Sequence, residues 1–200
     1  MEETMIKQEP IKQKPIRKTQ TKWNIRIMTV VGLMVAVCGI CAQIAIPLPF
    51  SPVPFTLQTL AVMIAAMMLG PRWGTLTLLV YVAAGTVGIP VFAQAKAGIG
   101  ALAGATGGFI WGFIPGAFIM GLLTGGHHTE LKFVRAILAA LAGLVIIYTC
   151  GVLQLRVVAE LTLLQAFSLG ALPYLPLEVV KILLAARVAM VIRNRNILNF

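Results

Sequence analysis

The chain has 200 residues, of which 59% are hydrophobic, 11% are charged and none is aspartate. A soluble domain carries about a quarter of its residues as charges, and a disordered chain is poor in apolar side chains, so both classes are excluded and lipid is the expected solvent. The formal net charge is +10, but seven of the sixteen basic residues (Lys7, Lys12, Lys14, Arg17, Lys18, Lys22 and Arg26) lie in the first 26 residues. A basic segment in that position reads as a cytoplasmic topology signal able to touch anionic lipid, not as a nucleic-acid face.

Turn residues and charges divide the rest into six candidate membrane helices, each expected to need about 20 mainly apolar residues. The first runs from Ile25 to Ile46 and stops at the proline-rich stretch Pro47 to Pro54. The second, Phe55 to Leu69, is short and ends at Gly70-Pro71-Arg72. The third covers Trp73 to Ile89. The fourth, Gly107 to Leu123, follows a Gly/Ala-rich loop and ends before His127 and His128, which read as a solvated turn. The fifth covers Phe133 to Leu155 and the sixth Leu172 to Ile192. The fold class is thus all-α, a polytopic membrane protein: a basic cytoplasmic extension over 1–26, a six-helix membrane domain over 27–192 and a cytoplasmic tail over 193–200.

Lys and Arg summed on alternate sides give orientation. One side receives the N-terminal cluster, Arg72, Lys132, Arg135, Arg187, Arg193 and Arg195, and the other only Lys96 and Arg156. Both termini are therefore expected in the cytoplasm of a multi-pass protein of the cell membrane. Cleavage of the first span as a signal peptide would leave five further spans and no soluble domain.

Lipid gives helices no hydrophobic reason to associate, so small residues mark contacts. Gly108, Gly112 and Gly116 line one face of the fourth span around Pro115, either to shape a cavity or to pack tightly. Gly32, Ala36, Gly39 and Ala42 form a similar stripe on the first span; on spacing alone it suits an internal neighbour better than a second protein. Cys38 and Cys41 lack a second pair or a nearby His, so no metal site is expected. The glycines from Gly98 to Gly108 follow no dinucleotide spacing, and there is no phosphate-binding GxxxxGK[ST] loop. Any ATP must therefore be held by another subunit, and no cofactor of its own is implied.

Ionisable groups within spans are costly and mark candidate sites. Glu178 and Lys181, at i, i+3 on the sixth span, share a face. Gln58, Tyr81, Gln94 and Lys96 fall on the same expected outer side. Together they offer cations to a carboxylate and amide-type partners to a polar ring, as in a small-molecule binding site. No nucleophile motif, acid pair or metal-ligand set points to an enzyme.

The run Ile44-Ala-Ile-Pro-Leu-Pro-Phe-Ser-Pro-Val-Pro-Phe-Thr-Leu-Gln-Thr-Leu60 resembles the signature of the BioY family, the biotin-binding S components of energy-coupling factor (ECF) transporters. Leu69 to Gly74, Gly88 to Phe92 and Thr106 to Gly112 match it in order, and the similarity extends from about Gly32 to Ala189. The resemblance implies an ECF S-component fold that captures biotin outside the cell and works with a transmembrane coupling protein and two ATPases. Gly32 and Ala36 match the position through which the family docks, which reverses the preference for an internal neighbour. Glu178-Val-Val-Lys181 is similar to the family's polar pair, with Glu in place of Asp and Leu177 where Gly is common. Biotin's ring then falls to Glu178, Gln58 and Tyr81, its carboxylate to Lys96 or Lys181, and its apolar body to Phe92 or Trp111. Another vitamin or organic anion is the alternative substrate, and a homo-oligomer is left open.

Overall fold

The computed structural model describes residues 25–125 and 130–195. Most of the basic extension, the His127 and His128 turn and the last five residues lie outside them. Helix α1 spans Ile25–Gln43. The proline-rich connection, expected only as a break, is an antiparallel hairpin of β1 (Ala45–Leu48) and β2 (Ser51–Thr56), with Ala45 opposite Thr56 and Leu48 opposite Ser51. A two-stranded ribbon is all edge, and edges tolerate proline.

Helix α2 covers Gln58–Thr86 in two arms that meet at Gly70, whose φ of 74° and ψ of −173° are outside the helical region. In a straight helix residues 58 and 81 would lie about 35 Å apart at 1.5 Å per residue. Instead Gln58 Nε2 donates to Tyr81 Oη over 2.6 Å. The helix therefore folds back on itself, with Gly70 supplying the positive φ that other residues resist and Pro71 starting the second arm, where its missing N–H costs nothing. A Cβ at Gly74 would stand 2.9 Å from Ala66 Cα, so the two arms are nearly in backbone contact there. The expected break at Gly70-Pro71-Arg72 is thus a hairpin tip.

A short helix α3 (Ile99–Ala103) precedes α4 (Gly107–Thr124), α5 (Phe133–Val158), α6 (Leu163–Gly170) and α7 (Leu175–Asn194). Among the described residues, α1, the two arms of α2, α4, α5 and α7 make six long helical segments, and α1, α2, α4 and α5 are long and apolar enough to cross a membrane. The fourth-span glycines are a packing surface. Added Cβ atoms at Gly108, Gly112 and Gly116 would lie 2.4 Å from Cys150 O, 2.9 Å from Ile147 Cα and 2.8 Å from Ile147 Cγ1, so α5 fills the stripe. Helix α6, which sequence periodicity did not reveal, is fixed by a capping box in which Thr162 accepts from Gln165 N and Gln165 Oε1 accepts from Thr162 N.

Helix α7 runs two residues beyond the expected span, so Arg193 and Asn194 belong to the bundle and not to a tail. Arg193 is buried and donates to the carbonyls of Met67 and Thr124, while Asn194 pairs with the backbone of Leu131. Leu138, Leu141 and Val145 on α5 and Val179, Val180, Leu183 and Leu184 on α7 are exposed. A surface this apolar belongs in hydrocarbon. The protein is a multi-pass membrane protein.

Candidate functional site

The site forms where the start of α2 meets the start of α7, beneath the β-hairpin. Tyr174 enters from the turn before α7, its hydroxyl reaching Ser51 Oγ at 2.9 Å and the Val53 carbonyl. Ser51 Oγ donates to Leu169 O at 2.8 Å, which ties the hairpin to the α6–α7 corner and roofs the cavity.

Below that roof Glu178 and Lys181 are 3% and 4% exposed, and Lys181 Nζ lies 2.7 Å from Glu178 Oε1. Thr59 Oγ1 lies between them: it accepts from Lys181 Nζ at 2.9 Å and donates to Glu178 at 3.0 Å. Tyr148 Oη donates to the same carboxylate at 3.2 Å. The ammonium's third proton goes to Thr56 O at 2.7 Å, and the ring of Phe55 lies 4.3 Å from Nζ. Two charges this deep repay their desolvation only when their other bonds are also made, and here the lysine's three donors are all placed.

These groups share a cavity of about 60 Å³ with Gln58, Phe92, Lys96, Phe109 and Phe113, room for a few waters at roughly 10–15 Å³ each. Gln58, Phe92, Lys96, Glu178 and Lys181 thus line one cavity. Tyr81 stands behind them: fully buried, it accepts from Gln58, donates to Val91 O at 2.7 Å and meets Phe92 edge-on at a centroid distance of 5.7 Å. Gln94 is exposed on the turn before Lys96 and is not among the lining residues. Trp111 is 48% exposed on the outer side of α4 and does not reach the cavity. Helix α4 is apolar all round, so its sequence held no sign of which aromatic faces inward; Phe109 and Phe113 do.

Lys96 differs from Lys181. Its side chain is exposed at the cavity rim and makes no hydrogen bond or ion pair among the described residues. On α1 the stripe divides. Gly39 and Ala42 are buried, whereas Gly32 and Ala36 are exposed and an added Cβ at Gly32 would meet nothing within 4 Å.

A profile of the BioY family matches residues 15–197. A biotin transporter BioY of Thermotoga maritima is 40% identical over 159 residues, which cover 80% of this chain and 90% of that protein. A probable biotin transporter BioY of Pyrococcus horikoshii is 37% identical over 168 residues, 84% of this chain and 94% of that one. The chain belongs to the BioY family. The fold agrees with this: the crystal structure at 2.1 Å of an S component for biotin from an ECF-type ABC transporter superposes with a TM-score of 0.79, covering 85% of this chain and 92% of that one at 23% identity.

Within this BioY chain, sequence reasoning missed Thr59, Tyr148 and Tyr174. Tyr148 is the single tyrosine of an apolar α5, a signal of the kind that singled out Tyr81. Thr59 gave none, because threonine is common in membrane helices and satisfies itself on the preceding turn.

Proposed function

We propose that this BioY-family chain is the biotin-binding, substrate-specific subunit of an ECF-type vitamin importer, which takes biotin from outside the cell into the cavity roofed by the β-hairpin. The observation that carries the assignment of roles is the contrast between the two lysines. Lys181 has its three protons committed to Thr56, Thr59 and Glu178, whereas the Lys96 side chain at the rim has no partner among the described residues. Lys96 is then the cation for the valerate carboxylate, a charge-assisted contact stronger than a neutral one. The Glu178 carboxylate, fixed by Lys181, Thr59 and Tyr148, accepts from the ureido N–H groups, and Phe92, Phe109 and Phe113 cover the thiophane ring and tail. Gln58 adds a polar contact to the ring, held in place by Tyr81.

The basic residues at the end opposite the cavity support a cytoplasmic placement of that end. There Arg72 at the α2 tip, Arg135 and the buried Arg193 gather, as the positive-inside tendency asks of a cytoplasmic face. Exposed Gly32 and Ala36 on α1 supply a smooth face for the coupling protein, whose ATPase partners would hold the nucleotide. The test is binding of labelled biotin to the purified chain with unlabelled biotin, riboflavin and thiamine as competitors. Saturable binding displaced by biotin alone supports the proposal. Displacement by another vitamin overturns the substrate.

A further inference from the structure

The cavity is closed on one side by the segment that connects α2 to α3, and that segment is held in a conformation its own residues do not favour. Gln94 and Ala95 have φ values of 60° and 56°, a left-handed pair where non-glycine residues rarely sit and persist only when their surroundings fix them. Gly88 and Gly98, also at positive φ, bracket the segment with open space around them. Within it Phe92 is buried in the cavity wall and Lys96 stands at the rim.

The turn is closed within itself by Phe92 N on Lys96 O, and a side chain from another helix grips it from outside. Gln43, the last residue of α1, donates through Nε2 to Phe92 O at 3.1 Å and Pro90 O at 3.3 Å, and its Oε1 accepts from Ala95 N at 3.0 Å. One amide group thus grips both sides of the turn. Gly39, one turn earlier on α1, lies against Val91, with an added Cβ 3.4 Å from its Cγ1. Positions 32, 36, 39 and 43 fall on one stripe of an α-helix, so the exposed Gly32 and Ala36 and the gripping Gln43 share a face.

Building on the biotin reading, we infer that Gln43 is a positioning residue of the binding site: a latch on α1 that holds the turn over 92–96 closed, so that Phe92 and Lys96 meet the ligand. The turn is part of the cavity wall; its own Phe92 N to Lys96 O bond and Tyr81 Oη on Val91 O close it locally, and Gln43 is the group that ties it to α1. Movement of α1 carries the latch with it, which links the occupant of the Gly32 and Ala36 face to retention of ligand.

The test uses the full chain in lipid nanodiscs. Gln43→Ala is expected to speed biotin dissociation at least fivefold with association changed less than twofold and the melting temperature kept. Gln43→Glu, which retains the acceptor for Ala95 N but loses the donors, falls between. Adding Gln94→Gly and Ala95→Gly to Gln43→Ala restores slow dissociation, because glycine takes positive φ without help; a general packing defect would not be rescued in this way. In a background with Cys38, Cys41 and Cys150 replaced by alanine, thiol labelling of Ala95→Cys without ligand rises at least fivefold when Gln43→Ala is added. Unchanged dissociation, failure of the glycine rescue or unchanged labelling overturns the latch. If the wild-type chain binds no biotin, the biotin reading falls, and the labelling result alone then decides the latch.

Discussion

Lys181 Nζ lies 2.7 Å from Glu178 Oε1, one turn away on α7, and both side chains are buried. A pair in this setting is costly to break from one side and cheap to replace whole. Removing one partner strands the other charge, at about 3–5 kcal/mol, while an apolar pair of similar volume is often neutral. Lys181→Met should therefore lower thermal stability markedly in detergent, whereas Glu178→Leu with Lys181→Met should melt near the wild type. Equal melting of the single and double variants would mean that stranding one charge of the pair costs no stability.

Lys96 should behave in the opposite way. Its side chain is exposed and has no partner among the described residues, so Lys96→Ala leaves stability unchanged within about 0.5 kcal/mol, the range for surface positions. Its affinity for biotin should fall about tenfold, or about 1.4 kcal/mol, and its affinity for biotin methyl ester should not change. A parallel loss for acid and ester in equilibrium titrations would remove the carboxylate contact from Lys96.

Much of the scaffold was legible because lipid simplifies the rules. Gly70-Pro71 read as a break since few residues make a positive φ followed by a new helix start, and Glu178 and Lys181 stood out as charges in an apolar run. The facing of α4 was not legible: with apolar residues all round, nothing in its pattern separates Trp111, which faces outward, from Phe109 and Phe113, which face the cavity. The β-hairpin was hidden because Pro47, Pro52 and Pro54 argue against strands except at an edge. Thr59 and Gln43 act through partners more than 40 residues away in sequence, which local patterns do not reveal.

The α4–α5 contact gives a third prediction. A Cβ at Gly112 would stand 2.9 Å from backbone of α5, where no flexible side chain can yield. Gly112→Val should cost about 1–3 kcal/mol as overpacking, and Gly32→Val, with open space around it, should cost nothing in the isolated chain. Melting curves of the two variants compare them directly; equal destabilisation would refute the asymmetry.

Gly32 also separates binding from transport. Gly32→Leu in the isolated chain should bind biotin as the wild type does, while uptake by cells that carry the coupling protein and ATPases should be lost if that face is where they dock. Uptake at the wild-type rate would place docking elsewhere.

The most direct test of the central claim is labelled-biotin binding to the wild type beside the Glu178→Leu, Lys181→Met double variant, both shown to be folded by their melting curves. Saturable, biotin-specific binding is expected for the wild type, and at least a hundredfold weaker binding, about 2.8 kcal/mol, for the double variant. Equal affinity in the two would contradict that claim, since the buried pair would then serve packing alone and the ligand would lie elsewhere.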